Sequence, residues 1–254
     1  MTLTVNRCDC WSVTRSVAAV AVCFVAFPLL SVPALQKDRT SCSPGPHTLY
    51  SHNAVTLDPE IVRLTSPDRN KVLLARRVED SRDPNGVHIS YTVTMVGKNF
   101  RTRLLGFNGE VAWSPDSKAF AVTQTEGGGS LGSRVYVFYP ESGGLTKLEV
   151  SRPIELDFGH PVKCDIPIPP NTGFISWGAD SSTLLVAAEV VPVSICRCAG
   201  TYRVYEMKLP ELKITHVYSQ VEAKKKFWNL LGCELRDADD RCVETLERYY
   251  LHRK

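Results

Sequence analysis

Neither sign of charge is in surplus: the 254 residues carry 30 basic and 27 acidic side chains, a net charge of +3 spread along the chain. A phosphate backbone calls for a basic stripe or patch, so this balance argues against nucleic acid as a partner. Catalytic signatures are missing too. There is no Gly-x-Ser-x-Gly elbow, no His-Glu-x-x-His, no phosphate loop and no dinucleotide fingerprint. Gly127-Gly128-Gly129 lacks the lysine and the following helix of a phosphate cradle and reads as a loop tip. His47, His52, His88, His216 and His252 stand singly, as surface or strand residues rather than ligands. The chain therefore reads as a non-enzyme with no cofactor. Its hydrophobic fraction of 43% argues against disorder and is enough for a core in one or at most two domains.

What is present begins with an apolar stretch. Arg7 and Arg15 precede an uncharged segment at 16–36, whose apolar centre is 17–30. Val32-Pro33-Ala34 supplies small residues for a signal peptidase, and Pro28 and Pro33 break the helix just before that site. The expectation is a signal peptide over 1–34, cleaved after Ala34, and a mature protein that is exported to the periplasm or the extracellular space. The alternative is an uncleaved N-terminal anchor, because about 20 apolar residues suffice to cross a bilayer; only then is the membrane a partner. Cys23 has no lipobox before it, which argues against a lipoprotein.

Of nine cysteines, Cys8, Cys10 and Cys23 fall in the signal segment, which leaves Cys42, Cys164, Cys196, Cys198, Cys233 and Cys242. An even set in an exported chain points to disulfides.

After a lead-in segment at 35–57, three stretches superimpose. They are Ile61-Val62-Arg63-Leu64-Thr65-Ser66-Pro67-Asp68, Val111-Ala112-Trp113-Ser114-Pro115-Asp116 and Ile175-Ser176-Trp177-Gly178-Ala179-Asp180. Asp68, Asp116 and Asp180 mark one position, at intervals of 48 and 64 residues. Each is followed by an apolar run (71–76, 118–123, 183–191), a third (88–96, 134–139, 202–207) and a fourth (100–105, 145–150, 213–218). Ser-Pro-Asp is a turn, since Pro pre-sets φ and Asp bonds a backbone N–H two residues on, so the first and second strands form a hairpin. Four-stranded antiparallel units at this period are the signature of propeller blades.

Val-Ala-Trp-Ser-Pro-Asp-Ser-Lys-Ala-Phe-Ala-Val (111–122), Arg-Val-Tyr-Val-Phe (134–138) and Ser-Gly-Gly-Leu-Thr (142–146) resemble the WD-repeat-like blade of TolB-type β-propellers. The likeness extends to 174–218, where Gly178-Ala179 replaces Ser-Pro, and to 61–105, where Thr65 stands in place of tryptophan. It implies a mainly β fold, a partial or small propeller over 58–220, and a scaffold that binds proteins or envelope components. Trp113 and Trp177 then belong to the blade core. Closed propellers have about four to eight blades and only three are recognisable, so either a degenerate fourth is assembled from the two ends or the array is open with its edges covered. The 221–254 segment turns helical, with one helix over 221–231 and a second capped by Asp239 or Asp240 and running through Val243, Leu246 and Tyr250. These helices serve as covers for an exposed strand edge or, alternatively, as a partner-binding tail.

Strand direction in such blades gathers the long loops on one face, including 153–173 and 192–200. That brings His160, Cys164, Cys196 and Cys198 together. Two readings stay open: a disulfide staple from Cys164 to Cys196 or Cys198, with Cys42 as a further partner, or a zinc site of the Cys₃His type. Cys233 and Cys242 most simply close a ten-residue loop. The function expected is an exported binding or structural protein; the alternatives are a metal-binding envelope protein and an enzyme of unrecognised type on the long-loop face.

Overall fold

The computed structural model describes residues 50–57, 61–79, 87–95, 97–106, 108–125, 132–160, 168–191 and 196–252. The expected signal peptide, Cys42, Cys164 and the Gly127–Gly129 tip lie outside these residues.

Three antiparallel sheets follow one another along the chain. The first is β2 (Ile61–Thr65), β3 (Lys71–Glu79), β4 (Val87–Met95) and β5 (Lys98–Leu105), paired in that order. The second is β6 (Asn108–Trp113), β7 (Phe120–Thr125), β8 (Ser133–Glu141) and β9 (Gly144–Glu149), with β1 (Val55–Thr56) added beside β6. The third is β10 (Asn171–Trp177), β11 (Thr183–Glu189), β12 (Tyr202–Lys208) and β13 (Lys213–Ser219). The lead-in segment thus contributes a fifth strand to the second sheet.

Burial follows from position in the stack. Leu73, Ile89 and Tyr91 of the first sheet pack on Val111, Phe120 and Phe138 of the second. The second sheet's other face, with Ala121, Val135 and Val137, packs on Phe174, Val186 and Tyr205 of the third. The central sheet is therefore covered on both sides, and Phe120-Ala121-Val122-Thr123-Gln124 in β7 is buried at every position. That is why β7 and β11 read as continuous runs, whereas β2 to β5 alternate.

One turn is built three times. Ser66, Ser114 and Gly178 each donate a backbone N–H to the residue five positions on and accept from the residue three positions on. Arg69, Ser117 and Ser181 occupy the left-handed region at φ 61°, 63° and 57°. In the second and third copies this conformation aims the serine hydroxyl at the preceding turn: Asp68 N–H donates to Ser117 Oγ at 2.9 Å and Asp116 N–H to Ser181 Oγ at 3.0 Å. The tryptophans repeat the device. The Trp113 indole N–H donates to Leu64 O at 3.2 Å, and that of Trp177 to Ala112 O at 3.3 Å, one sheet reaching to the one before. Trp113 is buried and Trp177 half-buried.

Four expectations need correction. The 153–173 segment is not wholly a loop: α1 (Ser151–Phe158) precedes it in the second-to-third connection, with Pro153 in the first turn, where a missing N–H costs nothing, and Ile154 and Phe158 buried one turn apart. The first C-terminal helix is shorter than expected, because α2 (Gln220–Phe227), started by a Ser219/Glu222 capping box, gives way to a separate α3 (Cys233–Asp237). The last helix, α4 (Val243–Leu251), begins at Cys242 rather than at an aspartate cap; Asp240 instead accepts from Gln220 Nε2 at 2.6 Å and Lys224 Nζ at 2.8 Å. Finally, α2 and α3 cover a sheet face, not a strand edge. Ala223, Leu231 and Leu235 pack on Ile175, Leu185 and Val204, the third sheet's outer side.

The buried indole of Trp113 joins two sheets, so Trp113→Ala should lower stability by about 3–5 kcal/mol. Trp113→Phe, which keeps a ring but strands the Leu64 carbonyl, should cost about 1 kcal/mol. Denaturant unfolding of both variants checks this, and an unchanged midpoint for the alanine variant would contradict the packing described.

Candidate functional site

Tyr50 is the side chain on which the most elements meet. Its backbone N–H donates to both Glu110 carboxylate oxygens at 3.3 Å, and its carbonyl accepts from Gly232 N–H at 2.7 Å. Its hydroxyl donates to Glu189 Oε2 at 3.0 Å and accepts from Ser133 Oγ at 3.2 Å. The ring lies flat over Gly173, where a Cβ would sit 1.9 Å from Tyr50 Cγ. Only glycine at 173 leaves room for that ring. A polar seam continues from here between the second and third sheets: Ser133 N–H donates to Asn171 Oδ1, Thr172 Oγ1 donates to Ser133 O, and Ser151 Oγ lies 2.6 Å from Thr172 Oγ1.

Glu189 is fully buried, and its Oε1 has no hydrogen-bond partner among the described residues. Burial, with the Glu234 carboxylate nearby as the second cause, pushes its pKa up to about 8, against the pull of the Tyr50 hydroxyl and Asn171. Burial likewise raises Glu234 and the Tyr50 phenol. A neutral acid beside a neutral phenol is the form such a site tolerates. Tyr50, Glu110, Ser133 and Glu189 are all buried, and through them this centre ties the second sheet to the third.

An open cleft of about 580 Å³ lies beside the third sheet, walled by Ile214–Val217 of β13, Arg203, Asp157 of α1, and Glu247, Tyr250 and Leu251 of α4. Arg203 Nη2 donates to Glu247 Oε2 at 3.1 Å, and the guanidinium stacks 3.9 Å from the Tyr250 ring centroid. The Tyr205 hydroxyl donates to Asp157 Oδ2 at 3.1 Å and that of Tyr250 to Phe158 O at 2.8 Å. Burial holds both phenols above their ordinary range, so they stay protonated. The cleft offers a fixed ion pair, an aromatic wall and the rim imidazole of His216, a set suited to holding a ligand rather than to nucleophilic chemistry.

Among the described residues the cysteines do not assemble as a metal centre. Cys198 is bonded to Cys242, with Cα atoms 5.3 Å apart, and Cys196 and Cys233 are disulfide-bonded as well. The expected Cys233–Cys242 loop is therefore corrected: Cys242, at the start of α4, reaches back to the β11–β12 connection. Nor can Cys196 and Cys198 act as thiolate ligands beside His160, so the Cys₃His set fails on its sulfurs; Cys164 lies outside the described residues. His160 is exposed and lines a second cleft with Arg134, Glu149 and Arg152. Sequence reasoning missed Tyr50, Glu110, Glu189 and Glu234. A signal existed for one of them: Glu189 is the lone carboxylate in Thr-Leu-Leu-Val-Ala-Ala-Glu-Val-Val (183–191), an otherwise apolar run.

Because the folded-state pKa of Glu189 is raised above its unfolded value, the stability it contributes is present at acidic pH and is lost as pH rises through about 8. Glu189→Gln keeps the shape and removes the ionisation. The difference in unfolding free energy between wild type and variant should move against the wild type from pH 5 to pH 8; parallel curves would contradict the assignment.

No protein-family model matches the chain, and no curated protein matches it. Among solved structures it is similar to the acylaminoacyl peptidase of Pyrococcus horikoshii in an orthorhombic crystal form, at 12% identity and TM-score 0.38, over 63% of this chain and 25% of that one. It is also similar to an acylaminoacyl peptidase in complex with Z-Gly-Gly-Phe-chloromethyl ketone, at 11% identity and TM-score 0.38, over 64% and 25%. The chain spans about a quarter of the length of each.

Proposed function

We propose that this protein is an exported scaffold of the propeller type, an open array of three TolB-like blades that acts by binding a protein or envelope component rather than by catalysis. The observation that carries the reading is the repeated docking of one sheet on the next. Trp113 to Leu64 is reproduced by Trp177 to Ala112, and Asp68 to Ser117 by Asp116 to Ser181. Repeated contacts between successive units are what a radial array requires, and α2 and α3 supply cover where a further blade would stand beside the third sheet. Export is supported by the Cys198–Cys242 bond, since such bonds persist in oxidising compartments, and by the apolar N-terminal segment with its Val32-Pro33-Ala34 site. No helix among the described residues is long and apolar enough to cross a membrane.

The bond encloses 44 residues of sequence separation. Chain-entropy reasoning gives a loop of that length about 4 kcal/mol.

Expression in an exporting host followed by non-reducing mass spectrometry tests the reading. The expected result is a chain starting at Leu35 with a peptide joining Cys198 to Cys242 and no turnover in a broad hydrolase screen. A start at Met1 with carbonate-resistant membrane retention would contradict cleavage, free thiols at 198 and 242 would contradict export, and turnover would contradict the binding role.

A further inference from the structure

Among the described residues, every sheet face in the stack but one is covered. The second sheet is sandwiched, the third is capped by α2, α3 and Tyr50, and the outer face of the first sheet is open. Its side chains alternate with the buried set: Ile61, Arg63, Leu74, Arg76, Arg101 and Arg103 all point outward and are exposed. The register sets Arg103, Ser90, Arg76 and Ile61 in one row across the four strands, and Arg101, Thr92, Leu74 and Arg63 in the next. No carboxylate occupies an outward position in either row, and among the described residues none of the four guanidiniums has an ion-pair or hydrogen-bond partner. The pattern is a block of fixed positive charge around a small apolar centre, with Ile61 51% and Leu74 37% exposed.

This face is not made for another sheet of the same kind. Each later sheet reaches its predecessor with a tryptophan and a left-handed serine, but the equivalent positions here are Thr65 and Arg69. Where the second sheet presents Val111 and Gln124 to its neighbour, the first carries Arg63 and Arg76. A second copy could offer only this same face, since its third sheet is capped, and that would set arginine against arginine. Outward aromatic platforms for stacked bases are absent from these rows, which disfavours single-stranded nucleic acid. Arginines set two strands apart in one row and three apart in the next, about 10 and 14 Å at the usual strand spacing, with leucine and isoleucine in the same rows, match the composition of a protein interface, where Arg is enriched and pairs bidentately with carboxylates.

We propose that the outer face of the first sheet is the docking surface for an acidic protein partner, whose carboxylates meet Arg63, Arg76, Arg101 and Arg103 around an apolar contact at Leu74 and Ile61. The proposal rests on the binding role argued above and names the surface and partner chemistry that role would use.

The test titrates the mature protein against a labelled short peptide of alternating glutamate and leucine, with heparin and anionic phosphatidylglycerol vesicles as comparison probes. Binding of the acidic peptide should weaken with salt and fall at least about tenfold in Arg63→Glu/Arg101→Glu, while Lys213→Glu on β13 leaves it unchanged. Because both arginines are exposed, the unfolding midpoint of the variant should match wild type; should it not fold, Arg76→Glu alone carries the same test. Equal affinity in wild type and variant, or no binding of the peptide, overturns the proposal. So does preference for heparin or vesicles, or a self-association that the double variant abolishes. A native-envelope partner still captured by the double variant would leave the scaffold role standing and remove this surface from it.

Discussion

The packing of a single phenol constrains the rest of the molecule. Tyr50 occupies the space over Gly173, and its four polar contacts run to β6, β8, β11 and the segment that precedes α3. Remove the ring and the inner ends of the second and third sheets lose a common wall, while Glu189 Oε2 loses the Tyr50 hydroxyl as a hydrogen-bond donor. Residues flanking Tyr50 extend the same tie: His52 N–H donates to Leu230 O, Ser51 bridges Leu231, and Val55 pairs with Val111. Tyr50 and the residues just after it thereby hold the 230–232 segment in place, and the helices that cap the third sheet are set by that connection.

This tie accounts for the covered outer face of the third sheet. A three-sheet stack has two outer faces, and each outer face carries an apolar cost if left bare. On the third sheet the cost is met with Ala223, Leu231, Leu235 and Tyr50, and the Cys198–Cys242 bond secures α4 beside the same sheet. The first sheet is handled by composition instead, with arginine, threonine and serine at its outward positions. One end is therefore closed by the chain's own segments, and the other presents unpaired charge to solvent. That asymmetry puts the exposed arginines of the first sheet at the end away from the capping helices.

The repeating parts were legible because they rest on local chemistry. Asp68, Asp116 and Asp180 each cap their own turn by accepting the N–H two residues on, and such bonds leave a sequence mark. Strand order followed from the same turns. Non-local constraints left no such mark. Nothing in Pro-His-Thr-Leu-Tyr (46–50) announces that Tyr50 will meet a glutamate 139 residues away, and Gly173 reads as an ordinary strand glycine until the ring above it is seen. The cysteine pairing failed for a related reason. Proximity along the chain favoured Cys233 with Cys242, whereas α3 and the turn after it direct Cys242 to the third sheet, an outcome fixed by helix packing rather than by loop length. The α1 helix escaped notice because only Ile154 and Phe158 form its buried stripe and Pro153 suggested a loop.

Native-state amide hydrogen exchange of the mature protein reads the central tie directly. If Tyr50 locks the two sheets and the C-terminal segment into one unit, the amides of Tyr50, His52 and Gly232 open only with global unfolding, at the free energy of the β10–β11 amides. Exchange of those three amides at rates typical of exposed loops, with the β10–β11 amides still protected, would show that the segment is merely laid against the sheets and would contradict the account.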